Sequence, residues 1–166
     1  MPIVPSLVTL LLLAHALAGI AHAAPYIPKN GSQVVERLPA RTDPAQRELS
    51  RLRAELATRP SDPALASSLA RRYIEVARID GDPRYLGYAQ AALAPWWNQP
   101  QPPDDVLVLR ATLRQSTHQF SAAMADLDAV VGRDSGNAQA WLTRATVLSI
   151  TGDFTAARAS CMRLYS

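Results

Sequence analysis

Two stretches, VLVLRATLRQSTHQFSAAMADLDAVVG (Val106–Gly132) and AWLTRATVLSITGDFTAARASCMRLYS (Ala140–Ser166), align without a gap at an offset of 34 residues. Arg110, Ala111 and Thr112 face Arg144, Ala145 and Thr146; Thr117 faces Thr151 and Phe120 faces Phe154. Ala122, Ala123 and Ala125 face Ala156, Ala157 and Ala159. That makes eight identities in 27 aligned pairs, above what an Ala-rich chain gives by chance. Leu107 faces Trp141 and Val130 faces Leu164, so large apolar positions are kept as well. A repeat of this length is the mark of stacked supersecondary units, each burying its apolar face only against its neighbours.

The periodicity within each copy is helical. Asp104–Thr117, Ser121–Val131, Ala138–Ile150 and Thr155–Leu164 read as four helices. Upstream, Asp43-Pro44-Ala45-Gln46 carries an N-cap acid, proline at the first helical position and Gln where a capping box places it. Leu49, Leu52 and Leu56 then share a face. Asp62-Pro63-Ala64 repeats the start signal, with Leu65, Leu69, Tyr73 and Val76 on the apolar side. Gly81-Asp82-Pro83 is a turn, followed by a helix from about Arg84 to Leu93. No segment reads as a strand, and the fold class expected is all-α, antiparallel helix-turn-helix repeats stacked as a short solenoid.

With this unit length the chain resembles the tetratricopeptide repeat family, a helix-turn-helix of 34 residues. In the last copy Trp141 stands at the leading aromatic position, Ala145 at the small one, Leu148 at the next large one and Ala157 at the packing Ala. Cys161 follows at a large-residue place, and Gly152-Asp153-Phe154 matches the turn between the two helices. The preceding copy has Leu107, Ala111, Arg114, Ala123 and Leu127 at these positions. Arg110, Arg114 and Arg144 depart from the pattern, marking a degenerate member. The resemblance implies repeats at 104–137 and 138–166, and an irregular one at about 63–95 that needs roughly seven inserted residues. Ser50–Ala57 reads as the second helix of a decayed unit. Together these form one repeat domain over 43–166.

The stretch APWWNQPQPPDD (Ala94–Asp105) reads as an inserted joint between the irregular repeat and the regular ones. Its prolines stop one unit and Asp104 begins the next. Trp96 and Trp97 are expected on the surface there, either capping helix ends or as a partner contact.

Before the repeats, Leu7–Ile20 is an apolar run and Ala21-His22-Ala23 a small-x-small pattern. Residues 1–23 read as a signal peptide cleaved after Ala23, with only the terminal amine supplying positive charge before the run; the alternative is an uncleaved, weak N-terminal anchor. The run is too short to span a membrane stably, and the expected location is periplasmic or secreted. Residues 24–42, with Pro25, Pro28, Pro39 and Gly31, read as a Pro-rich linker.

Composition narrows the function. The net charge is +3, but sixteen Arg and the single Lys29 are scattered among acids, so no nucleic-acid partner is expected. Beyond the signal segment the chain holds one histidine, His118, and one cysteine, Cys161. No catalytic, metal or cofactor-binding set is therefore expected: His118 reads as a solvated turn residue, and Cys161 as a small buried hydrophobe. Asp126 and Asp128, two apart on a helix, point in different directions and are not expected to work as an acid-base pair. By the resemblance, a peptide groove is lined by the first helix of each pair. The lining positions are Ser67, Ser68, Arg71, Ile74, Val108, Thr112, Gln115, Ser116, Thr143, Thr146 and Ser149, a small, polar and nearly uncharged surface. The function expected is an exported, non-catalytic scaffold for a protein or peptide. The alternatives are a fragment of a longer periplasmic repeat protein and an enzyme or metal-dependent protein. Ala157, Cys161 and Leu164 are expected to leave apolar surface for self-association through the last helix.

Overall fold

The computed structural model describes residues 26–35 and 43–165. The signal peptide and cleavage after Ala23, and the linker apart from residues 26–35, lie outside the described residues. Residues 26–35 form a unit separate from the helical one and carry only bends and a turn, in which Asn30 Oδ1 accepts from the Ser32 amide and hydroxyl.

Residues 43–165 are all-helical: α1 (Pro44–Thr58), α2 (Pro63–Asp80), α3 (Arg84–Ala92), the short α4 (Ala94–Trp97), α5 (Asp104–Ser116), α6 (Phe120–Arg133), α7 (Ala138–Ile150) and α8 (Phe154–Met162), then a 3₁₀ turn at Arg163–Tyr165. The acid-proline starts act as their sequence predicts. Asp43 accepts from the Ala45 amide and Asp62 from the Leu65 amide, satisfying donors that open a helix. Gln46 does not close a capping box; its side-chain amide instead donates to the Tyr85 hydroxyl on α3, 3.2 Å away.

Three-residue turns join α2 to α3, α5 to α6 and α7 to α8, and each pair packs together. So short a turn makes each pair a hairpin. The two regular turns are superimposable in their hydrogen bonds. The His118 amide donates to the Gln115 carbonyl and the Gln119 amide to the Arg114 carbonyl; 34 residues on, Gly152 donates to Ser149 and Asp153 to Leu148. This pair of bonds is the Schellman motif, which needs a left-handed residue just past the helix. That residue is His118 at φ +59° in the first turn and Gly152 at φ +88° in the second.

First helices also touch one another: α2 packs on α5, and α5 on α7. α5 is therefore enclosed on two sides. Val106, Leu109 and Leu113 join a core with Leu49, Leu69, Tyr73, Leu93 and Trp96. Leu107, Val108 and Ala111 join a second core with Ala123, Leu127, Val130 and Val147.

Arg110, on α5, is buried between these cores and chelated. Its Nε and Nη2 donate to the two carboxylate oxygens of Asp126 on α6, at 2.9 and 2.7 Å. Its Nη1 donates to the Trp97 carbonyl at 2.5 Å, and Arg114 adds a bond to Asp126 at 2.7 Å. The second hairpin repeats the arrangement: Arg144 donates to Ser160, the residue aligned with Asp126, and reaches back to Asp128 on α6. The arginines that looked like departures from the repeat pattern are thus what ties each hairpin to itself and to the element before it.

Asp126→Ala leaves Arg110 buried without its counter-charge and is expected to destabilise the chain by about 3–5 kcal/mol in urea unfolding. An Arg110→Leu/Asp126→Leu double variant is expected to recover part of that loss, because Arg110 is no longer a buried unpaired charge, while the part-buried Arg114 still loses its carboxylate. At the second turn, a Cβ added at Gly152 meets nothing within 4 Å, so only the backbone angle resists it. Gly152→Ala is expected to lower stability by about 1 kcal/mol, seen as a lower melting temperature.

Candidate functional site

The first helices α2, α5 and α7 each present one stripe to a shared groove. On α2 the stripe is Arg71, Ile74, Glu75 and Arg78. Spacings of three, four and seven residues place these on one helix face. α5 contributes Val108, Leu109, Thr112 and Gln115, and α7 contributes Gln139, Leu142, Thr143 and Thr146. Two adjoining cavities of about 330 and 260 Å³ lie along the groove, with Arg78, Thr112 and Gln139 lining both.

Of the eleven groove positions expected from sequence, Arg71, Ile74, Val108, Thr112, Gln115, Thr143 and Thr146 come together here, whereas Ser68 and Ser116 line neither cavity. Ser149 is exposed one turn beyond, outside both cavities. Ser67 does not face a groove: it is 2% exposed, and its hydroxyl lacks a hydrogen-bond partner. Arg78, Glu75, Gln139 and Leu142 were not anticipated. A 3.6-residue count forward from Arg71 along α2 reaches both Glu75 and Arg78, and this was the available signal. The groove is consequently more charged than its sequence suggested.

The chemistry of the wall follows from local bonds. The hydroxyls of Thr112, Thr143, Thr146 and Ser149 each donate to the carbonyl four residues earlier in their own helix, at 2.8–2.9 Å. Their protons are thereby committed, while each oxygen keeps lone pairs for an incoming donor. The wall therefore offers acceptors for N–H groups, together with the amides of Gln115 and Gln139. The Gln139 amide nitrogen reaches the Thr143 hydroxyl at 3.2 Å. Arg71 and Arg78 are exposed and make no ion pair or hydrogen bond among the described residues, whereas Glu75 is engaged by Arg72.

The groups whose ionisation is displaced lie elsewhere. Hydrogen bonds from Arg84 hold Asp82 below the usual carboxylate range, those from Arg51 do the same for Glu48, and burial raises the Tyr73 phenol. His118 stacks edge-on against Phe120 at 5.6 Å in its turn. Among the described residues no three His, Cys, Asp or Glu side chains converge as a metal site, and no helix is long and apolar enough to cross a membrane.

The tryptophans of the joint separate. Trp96, expected on the surface, is 8% exposed and belongs to the first core, because the turn of α4 directs it between α1–α3 and α5. Trp97 is half-buried under the Arg114 guanidinium at 5.9 Å, and it walls two further cavities with Gly87 and Gln90. In the last hairpin Ala157 is buried rather than exposed, Ser160 takes the innermost position, and Cys161 is half-buried. The exposed large apolar side chains there are Leu142 and Ile150 on α7 and Phe154, Met162 and Leu164 at and after α8.

Trp96→Ala is expected to cost about 3–5 kcal/mol in denaturant unfolding, as for a large core side chain. Trp97→Ala is expected to cost under about 2 kcal/mol, since it loses a half-exposed contact and a cation–π pair. No model of a known protein family matches this chain, and no curated protein or solved structure matches it.

Proposed function

We propose that the chain is an exported, non-catalytic scaffold of the tetratricopeptide type, which holds an extended segment of a protein or peptide in the groove of α2, α5 and α7. The observation that carries this reading is the convergence of stripes from three first helices onto one groove, with α5 and α7 set 34 residues apart by the repeat and α2 brought alongside α5 by the irregular unit. The wall suits a main chain. Threonine oxygens stand ready to accept from backbone N–H groups, and Ile74, Val108 and Leu142 give apolar contact between them. Export, with removal of residues 1–23, is part of the proposal and rests on the apolar run and the small-x-small pattern.

Affinity capture from the native cell envelope tests the groove. Thr112→Trp and Thr146→Trp together fill it without altering charge. The partner recovered with the unaltered chain is expected to fall at least tenfold with this variant, while far-UV circular dichroism stays the same. Equal recovery from both would remove the groove from the mechanism.

A further inference from the structure

The ligand's chemistry can be taken further, on the basis of the groove reading above. We infer that the groove takes an internal, acidic segment in which two carboxylate side chains meet Arg71 and Arg78. Arg51, Arg59, Arg72, Arg84, Arg110, Arg114, Arg133 and Arg144 all make ion pairs with carboxylates of this chain. Arg53 bonds the Leu49 carbonyl and lies over Tyr73. Among the described residues Arg71 and Arg78 have no such partner, and both line the groove. The one carboxylate between them, Glu75, is held by Arg72. The groove thus presents two guanidiniums without a carboxylate partner among the described residues, whereas eight other arginines are paired; Arg158, which also lacks one, lies on α8 outside the groove.

Their spacing specifies the ligand. Seven residues on a helix separate the two by about 10.5 Å along one face. A polyproline-type peptide repeats every three residues, about 9 Å, and returns to the same side. Acids at positions i and i+3 of such a segment therefore face both arginines, within the reach of two flexible side chains. Each guanidinium can bind its carboxylate through two parallel N–H···O bonds. The backbone N–H groups between the acids would meet the oxygen of Thr112, which shares a cavity with both arginines and whose proton already points into its own helix. Because the charges met are side chains, no free C-terminus is needed. A nucleic acid fits less well: the groove-lining residues include no aromatic ring on which a base could stack, and the cations are two rather than a run.

The test uses the full chain and a fluorescein-labelled, proline-rich peptide of about a dozen residues. The peptide carries Glu at every third position and is amidated at its C-terminus. A matched peptide carries Gln instead. The Glu peptide is expected to bind saturably and at least tenfold more tightly than the Gln peptide, more weakly as salt rises. Arg71→Glu/Arg78→Glu is expected to abolish binding, with helicity unchanged by circular dichroism, and Thr112→Trp to weaken it at least tenfold. If both peptides bind equally and Thr112→Trp blocks both, the groove reading stands and the acidic specificity is overturned. Absence of saturable binding by the Glu peptide also overturns the specificity, leaving the capture experiment to judge the groove. If polyphosphate or a thymidine oligonucleotide competes as well as the Glu peptide, the arginines are a general polyanion contact and the inference fails.

Discussion

A buried guanidinium is admissible only if its positive charge is matched and its N–H donors are satisfied. Arg110 meets that condition by drawing three elements together: α5, which carries it, α6, which supplies Asp126, and the joint, which supplies the Trp97 carbonyl. In this arrangement both Asp126 oxygens accept from Arg110 Nε and Nη2, and the Trp97 carbonyl accepts from Nη1. The interaction therefore sets the register of the hairpin and of its attachment to what precedes it. Arg114 strengthens the constraint from two sides, by bonding Asp126 and by lying over Trp97.

The same position in the next hairpin shows how the constraint adapts. Arg144 keeps its place, but Ser160 replaces the aspartate, so the charge is met instead by Asp128 from the preceding hairpin. Arg144 is less buried than Arg110 and tolerates a neutral partner within its own pair. One arginine thus secures the hairpin internally, and the other secures it to its neighbour. With α5 enclosed between two cores, the first helices line up side by side, and their outward stripes become the walls of a groove.

Much of the local structure was legible. Helix starts follow from Asp-Pro pairs, because the aspartate caps free amides and proline is preorganised for the first turn. The paired turns follow from the repeat, and Gly152 marks the left-handed residue that His118 adopts at greater conformational cost. Most of the groove candidates were legible too, since residues on one helix face recur at fixed spacing. Arg78 and Glu75 lie on that same face of α2, but α2 belongs to the irregular unit, which has no aligned copy to mark them as groove positions.

What the sequence determined by itself was periodic and local: all-helical structure, the 34-residue unit, the caps, and which residues share a helix face. What the tertiary structure alone decided was partnership across elements. Trp96 and Trp97 are adjacent in an irregular segment, so no periodicity tells which enters the core, and only the course of α4 against α5 buries the first and leaves the second at a wall. Arg110 and Arg144 look like errors in an apolar pattern until Asp126, Asp128 and Ser160 are seen beside them, sixteen residues away in each case. The reason is physical. Helical spacing is imposed by the backbone and can be read along the chain, whereas a charge pair is specified by distance in space, and only the packing of one helix on another creates that distance.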